Sequence, residues 1–223
     1  MPDKPILFSG PMVRALLDGR KTQTRRVVKP QPKWTSDAWH WQSSRYDNGL
    51  GADYFHTPHV AGIMSAWVKA MPYAIGDRLW VREAHYLTDD GESEYAVFAE
   101  DEAGVAEHLQ NMQTTMTSHP QIDWSKHIRL RPSIHMPRWA SRLTLVVTDV
   151  RVQRVQEINR GDAMEEGCPF PNMADGQNPR DWFRALWDSL NACRNFGWDA
   201  NPWVAAYTFA VQKCNIDQME IAA

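Results

Sequence analysis

The apolar pattern of residues 143–155 limits the possible folds of this 223-residue chain more than any other stretch. Its apolar residues fall on two strand faces of opposite parity: Leu143, Leu145 and Val147 on the first, and Val150 and Val152 on the second. A strand keeps a period of two residues, so the register has to shift near residues 148–149 through a β-bulge or a sharp bend. Small β-barrels need such corners, and the pattern therefore predicts a long, bent strand of the antiparallel type.

A first helix is predicted by the residues at its two ends. Ser9 or Gly10 suits the N-cap, and Pro11 suits the first helical position because the amide hydrogen it lacks has no helical partner there. Gly19 suits the left-handed position that follows a helix. Residues 21–28 then predict an extended segment.

Two further helices and a final strand are predicted in the second half of the chain. Asn159 is suited to cap the first of these helices, and Gly167 is suited to end it. The second begins at residues 178–179, and its predicted buried face is formed by Trp182, Leu186, Trp187 and Leu190. Residues 203–211 predict the last strand, with Tyr207 among the alternating residues of one face.

Two long insertions are predicted to interrupt the remaining strands. They cover about residues 31–72, which are rich in Pro, Gly, Ser and Asp, and about residues 100–130, which predict only a weak helix. Strands are predicted at residues 79–86 and 94–99. Helices among strands predict a single α+β domain over residues 1–223, built on a small mixed β-barrel.

Composition disfavours several classes of protein. The formal net charge is -3, whereas proteins that bind duplex nucleic acid by bulk charge are usually basic. Three cysteines without a Cys-x-x-Cys pair, and eight histidines without ligand spacing, predict no disulfide framework, no metal site and no cofactor. No apolar run has the length of a signal peptide or a membrane span, so we expect a cytoplasmic protein without a membrane partner. The sequence does not indicate an oligomeric state.

The densest polar run is residues 19–26, which read Gly-Arg-Lys-Thr-Gln-Thr-Arg-Arg directly after the first helix. From composition alone, a run of charges of this kind indicates a solvated strand edge, where Lys discourages pairing with another strand.

The stretch LLDGRKTQTRRVV also resembles the motif of the ASCH family, a Gly-x-Lys-Thr-x-Thr run that follows the first helix. The resemblance continues in the family's order through GDRLWVREAHY, PSIHMPRWASRLTLVVTDVRVQRVQEI, DAMEEG and WVAAYTF, and covers roughly half of the chain. Long forms with a Trp-rich insertion are similar to proteins commonly encoded in prophages. The resemblance implies a PUA-like small mixed β-barrel flanked by helices, with the two insertions added to it.

The resemblance also implies an activity. Small bacterial ASCH proteins similar to this core hydrolyse N4-acetylcytidine to cytidine and acetate. Carried over to this chain, the catalytic residues are Lys21, Thr24 and Glu166, and the motif arginine is Arg26; Glu165 is the neighbour that a one-residue shift of the alignment selects. PUA-like folds often bind RNA and some ASCH relatives are reported to cleave it. A modified nucleoside or RNA is thus the expected partner, with a non-catalytic RNA or modified-base binding module and a ribonuclease as alternatives.

Amide hydrolysis requires a nucleophile, a proton shuttle and a group that stabilises the oxyanion. Thr24 supplies a hydroxyl, which is weakly nucleophilic without a base. Lys21 is a base only when neutral, which burial favours, whereas a helix C-terminus and the Glu166 carboxylate favour its charged form. In the alternative, a charged Lys21 stabilises the oxyanion and Glu166 moves the proton. The residues alone leave both assignments open.

The spacing of the motif gives a geometric expectation. In a regular strand Lys21 and Thr24 point to opposite faces, whereas Thr22, Thr24 and Arg26 share one face. Joint action of Lys21 and Thr24 therefore requires a turn or bulge within residues 20–24. A straight strand there makes Thr22 the better partner.

Three residues of the predicted strand 79–86 are candidates for binding the substrate. Trp80 and Arg82 share one face of the strand, and Glu83 lies on the other. Glu83 has two interpretations, a surface salt bridge or a second carboxylate near the pocket.

The loop before residue 143 combines arginines with an aromatic ring. Arg138 and Trp139 are candidates for holding a phosphate and stacking on a base. In the alternative, Trp139 plugs the barrel and the arginines cap carbonyl groups.

Overall fold

A computed structural model of the chain describes residues 3–29, 31, 33–34, 39–41, 53–55, 71–89, 94–119, 127–170 and 177–219. The strands are β1 (Lys4–Leu7), β2 (Gln23–Val27), β3 (Lys33–Trp34), β4 (Trp39–Trp41), β5 (Asp53–Phe55), β6 (Arg78–Arg82), β7 (His85–Asp89), β8 (Glu94–Phe98), β9 (Thr144–Arg154) and β10 (Trp203–Gln212). The helices are α1 (Gly10–Leu17), α2 (Glu102–Ser118), α3 (Arg160–Glu165) and α4 (Pro179–Asn191).

The residues divide into two compact units, each built from separate segments of the chain. The first unit comprises Met1–Lys21, Gly76–Val146 and Ala210–Ala223, and the second comprises Thr22–Ile75 and Val147–Phe209.

The main sheet is mixed and open. Its five strands follow the order β1-β6-β9-β10-β2, which makes β1 and β2 its edges. Strands beside helices confirm the predicted α+β class, but the predicted closed barrel is wrong, because β1 and β2 do not pair with each other in the described part of the chain. Pro5 in β1 gives one physical reason, since it has no amide hydrogen to donate to another strand.

Within the first unit, β1 and the start of β9 pair with β6. Ile6 lies opposite Val81 in a parallel pair, and Leu79 lies opposite Leu145 in an antiparallel pair; the four side chains are at most 1% exposed. The predicted strand 79–86 is interrupted after β6, and β7 instead forms an antiparallel hairpin with β8.

Helix α1 forms as the sequence predicts. Ser9 is its N-cap, Pro11 lies in its first turn, and Val13 and Leu16 are fully buried. Gly19 follows the helix with a φ of 73°, a left-handed conformation that a residue with a Cβ rarely adopts.

Within the second unit, β2 is antiparallel to β10, and Thr24 lies opposite Tyr207. The apolar core of the second unit lies beside this strand pair. It is formed by side chains of α3, α4 and the segments around them: Val155, Ile158, Ala163, Phe183, Trp187, Trp198 and Val204. The predicted buried face of α4 is correct at Trp187 and wrong at Leu190, which is 43% exposed, while Phe183 is buried instead.

Helix α3 begins and ends where the sequence predicts. The side chain of Asn159 accepts a hydrogen bond from the Asp162 amide at 2.8 Å, and Gly167 follows the helix with a φ of 101°. The cap is important because a helix of six residues has little stability of its own.

Both predicted insertions contain regular structure where they are described. β3, β4 and β5 form a small antiparallel sheet within the region predicted to be irregular, most of which lies outside the described residues. In the second insertion, the predicted weak helix extends over all of α2, whose N-cap Asp101 accepts a hydrogen bond from the Gly104 amide at 3.0 Å.

Candidate functional site

Lys21 is the last residue of the first unit, and its side chain is fully buried. The amides of Arg20 and Lys21 both donate to the Ala15 carbonyl of α1, at 2.9 and 3.0 Å. The Lys21 ammonium lies 5.6 Å from the centroid of the Phe8 ring, a geometry that favours a cation over an aromatic face. The C-terminus of α1 and the Phe8 ring thus provide surroundings suited to a positive charge.

Thr24 lies in β2 and is 3% exposed. The register places Thr24 opposite Tyr207 and Arg26 opposite Ala205, so these four residues share one face of the strand pair. Thr22 precedes β2 and is half-buried. The regular ladder therefore begins only at β2 and does not extend back to Lys21.

The opposite face of β2 carries a buried cluster of charges. Arg25 donates from Nη1 to Glu166 Oε1 at 3.0 Å and to Gln23 Oε1 at 2.6 Å. Its Nη2 lies 2.9 Å from Asp162 Oδ2. Gln23 in turn donates to Glu165 Oε2 at 3.0 Å. Helix α3 and the residue after it therefore present three carboxylates to one face of β2.

Arg25 compensates the buried negative charge. Its side chain has no solvent exposure, and its guanidinium lies 5.7 Å from the centroid of the Phe183 ring. Burial by itself raises the pKa of Asp162, but hydrogen bonding to Arg151 and the charge of Arg25 outweigh it and lower that pKa below 3.8. Asp162 is consequently ionised near neutral pH, although its side chain is only 9% exposed.

The structure distinguishes Glu166 from its neighbour Glu165. Glu166 is the C-cap of α3 and is 3% exposed, with its carboxylate held by Arg25. Glu165 is exposed, and its backbone carbonyl accepts a hydrogen bond from the Thr22 amide at 2.8 Å. Of the two positions, the one selected by the sequence resemblance is therefore the buried one.

Two tyrosines and an arginine interact on the Thr24 face. The rings of Tyr73 and Tyr207 meet edge to face, with centroids 5.3 Å apart. Burial lowers the pKa of Arg26, while Tyr73, Glu166 and Tyr207 act electrostatically in the opposite direction. Burial also raises the pKa of both tyrosines. At neutral pH the phenols are therefore neutral, and Arg26 keeps its charge because guanidinium groups do not deprotonate in proteins.

In the first unit, Glu83 forms a buried ion pair, which excludes a surface salt bridge, the first of its two interpretations. Glu83 is 1% exposed, and Arg142 donates to its two carboxylate oxygens at 3.0 and 2.9 Å. The Arg142 guanidinium also lies 3.9 Å from the centroid of the Phe98 ring. Burial raises the pKa of Glu83, against the effect of Arg142, and the Glu100 carboxylate adds to the increase.

Trp80 and Arg82 meet on one face of β6, as the strand parity predicts. The Arg82 guanidinium lies 5.2 Å from the centroid of the Trp80 ring, and its Nη2 donates to the Ile134 carbonyl. The pair thus combines a cation with a half-buried aromatic ring.

Arg138 is held by two carboxylates. Its Nη2 donates to Asp3 Oδ2 and to Asp217 Oδ1, both at 2.5 Å, and these hydrogen bonds raise its pKa. Trp139 is 45% exposed, so it does not plug a core. The predicted phosphate-binding arginine is consequently part of a network of charges within the protein.

The predicted site residues are therefore distributed between the units. The second unit contains Thr22, Thr24, Arg26 and Glu166, and the first contains Lys21, Trp80, Arg82, Glu83, Arg138 and Trp139. Sequence reasoning missed Tyr73 and Tyr207 as members of the site, and it missed the pairing of Arg25 with Asp162 and Glu166. One signal was present, because Asp162, Glu165 and Glu166 have the i, i+3, i+4 spacing of one helix face, and an acidic face that packs against the protein requires a cation.

Comparisons with known proteins give a distant structural match. No family model and no curated protein matches the chain. A crystal structure of a DUF984 protein from Enterococcus faecalis V583 is similar with a TM-score of 0.41 and 8% sequence identity, over 98% of this chain and 80% of that one. A similarity of this degree supports no conclusion about function.

The described residues contain no helix long and apolar enough to cross a membrane. They also contain no group of three or more His, Cys, Asp or Glu side chains arranged to hold a metal ion.

Proposed function

We propose that this chain is an amidohydrolase that removes the acetyl group from N4-acetylcytidine or a related modified nucleoside. The observation that supports the proposal is the burial of all three residues at the matched catalytic positions. Lys21, Thr24 and Glu166 are at most 3% exposed. Burying an ammonium and a carboxylate costs free energy, and such groups occur preferentially at functional sites.

The surroundings favour one of the two catalytic assignments. Lys21 follows a helix C-terminus and faces an aromatic ring, so we assign the charged ammonium to stabilising the oxyanion. Thr24 attacks the acetyl carbon, and we assign to Glu166 the movement of its proton to the N4 leaving group through water, because Glu166 contacts Arg25 on the face of β2 opposite Thr24. The amide C–N bond breaks, cytidine leaves, and water hydrolyses the acetylated threonine to acetate and regenerates the hydroxyl.

The paired arginines make RNA binding the weaker candidate. Three arginines that could otherwise bind phosphates, Arg25, Arg138 and Arg142, each contact one or two carboxylates of the protein. A paired guanidinium contributes less to the release of counterions from phosphates.

A matched pair of variants tests the assignment of Glu166. In a chromatographic assay of cytidine release, we expect Glu166→Gln to lower kcat by about 100-fold or more, since it removes a general acid–base group. Glu165→Gln, one residue away and exposed, is expected to stay within about threefold of wild type. Loss of activity in Glu165→Gln with retention in Glu166→Gln would overturn the assignment.

A further inference from the structure

His85, the first residue of β7, attaches a long loop of the first unit to the β7–β8 hairpin. The loop covers residues 127–143 and leads into β9. The His85 amide donates to the Arg131 carbonyl at 3.1 Å, and the Arg131 amide donates to the His85 carbonyl at 2.8 Å. The imidazole of His85 has no solvent exposure. A titratable ring is therefore buried at the point where the loop is attached.

The hydrogen bonding of the ring identifies its neutral form. Nδ1 of His85 lies 3.1 Å from the Glu83 carbonyl oxygen, and because a carbonyl can only accept, Nδ1 carries the proton. Nε2 is then the unprotonated nitrogen, and no residue in the described part of the chain gives it a hydrogen-bond partner. Protonation of Nε2 would add a buried N–H group without an acceptor, which costs free energy.

The charges nearest to His85 also oppose an imidazolium. Burial lowers the pKa of His85, and the hydrogen bond to the Glu83 carbonyl acts in the opposite direction. Three neighbouring cations lower that pKa further: Arg131, Arg82 and His135. The closed loop consequently favours a neutral ring.

The carboxylates of the neighbouring elements are each engaged by an arginine. Glu83 pairs with Arg142, whose guanidinium lies 3.9 Å from the centroid of the Phe98 ring. Phe98 is the residue opposite His85 in the hairpin. Glu100, which follows β8, forms an ion pair with Arg14 at 2.6 Å. These carboxylates thus already have cations to balance.

We propose that His85 is a pH-sensitive latch, whose protonation releases the loop at Arg131 from β7. In the open state the ring reaches water and takes up a proton with its ordinary pKa of 6.5, whereas the closed state holds that pKa lower. The latch is therefore fully closed above pH 6.5, and opening becomes more favourable as the pH falls from 6.5 through the lowered pKa. Opening also withdraws the Ile134 carbonyl from Arg82 Nη2 and exposes that guanidinium to solvent.

Hydrogen exchange of the Arg131 amide, followed by NMR, measures the latch, because this amide is protected while its bond to His85 is closed. After correction for the intrinsic exchange rate at each pH, the opening constant should rise by up to about tenfold per pH unit below pH 6.5. The Val81 amide donates to the Leu143 carbonyl at 3.0 Å and should stay protected throughout, which separates local opening from unfolding. An opening constant at Arg131 that does not change with pH would refute the proposal.

A matched pair of variants assigns the effect to His85. His85→Asn retains a donor near the position of Nδ1 but cannot be protonated, so the dependence on pH should disappear. His119→Asn changes an exposed histidine at the end of α2 and should retain it. In wild type, the midpoint of opening should coincide with the NMR titration of the His85 ring, a test that holds even where His85→Asn does not fold. A dependence that persists in His85→Asn, or a midpoint that belongs to another histidine, would overturn the latch.

Discussion

Arg25 is the residue on which the buried charges of the second unit depend. It lies against Asp162 and Glu166, and neither carboxylate is more than 9% exposed at its side chain. Burying an ion pair adds little net stability, but removing one partner leaves the other charge uncompensated. The free energy of unfolding should therefore respond more strongly to Arg25 than to arginines on the surface.

The variant Arg25→Met keeps much of the side-chain volume and removes the charge. We expect it to lower the free energy of unfolding by about 3–5 kcal/mol, measured by urea denaturation. Arg184→Met is the control, since Arg184 pairs with Asp199 at 3.2 Å where both side chains are more than half exposed. Equal losses in the two variants would show that Arg25 does not compensate the carboxylates.

Asp162 gives the same cluster a dependence on pH. Its folded pKa lies below 3.8, so its contribution to stability is complete above that pH and is lost as the pH falls through the lowered pKa. Asp162→Asn should be less stable than wild type at pH 7, with the difference shrinking as the pH falls below 3.8. Urea denaturation at a series of pH values measures this. A difference that is constant down to the acid range would contradict the pairing with Arg25 and Arg151.

Among the secondary-structure elements, α3 holds the carboxylates of the candidate site. It has only six residues, and its N-cap Asn159 satisfies one of the first amides of the helix. Asp162 lies within α3, and Glu166 follows its last residue. Because so short a helix depends on its cap, a defect at Asn159 should reach the candidate site.

The variant Asn159→Ala removes that cap. We expect a loss of about 1 kcal/mol in the free energy of unfolding and a fall in kcat, read from denaturation and cytidine release. Asn178→Ala removes the corresponding cap of α4, where Asn178 accepts from the Arg180 amide at 3.0 Å. It should cost similar stability and leave kcat unchanged. A fall in kcat in both variants would mean that loss of stability, rather than α3, explains the effect.

The sequence predicts well those elements whose boundaries are set by residues close to them along the chain. α1 and α3 depend on capping residues within a few positions of their ends, namely Ser9, Gly19, Asn159 and Gly167, and these were recognisable. The buried face of α4 depends on distant neighbours, and there Phe183 was missed and Leu190 was misplaced. The same limit applies to Arg25, whose carboxylate partners are more than 130 positions away along the chain.

At the scale of the whole molecule, the pairing of distant strands decides whether the sheet closes, and the distribution of charge bears on whether the protein binds phosphates. The bent strand and the helices predicted the α+β class, but closure of the barrel depends on which edge strands meet, and local pattern does not encode that. The net charge of -3 and the paired arginines both disfavour binding through phosphates. The burial of Lys21, Thr24 and Glu166 instead supports the proposed chemistry on a small, flat substrate.

The first measurement should be cytidine release from N4-acetylcytidine by the purified protein, followed by chromatography, beside Lys21→Ala. We expect wild type to release cytidine and acetate in equal amounts. Lys21→Ala, shown to be folded by circular dichroism, should be at least about 100-fold slower, because it lacks the charge to which we assign stabilisation of the oxyanion. Absence of turnover by folded wild-type protein, or equal turnover by Lys21→Ala, would contradict the proposed amidohydrolase.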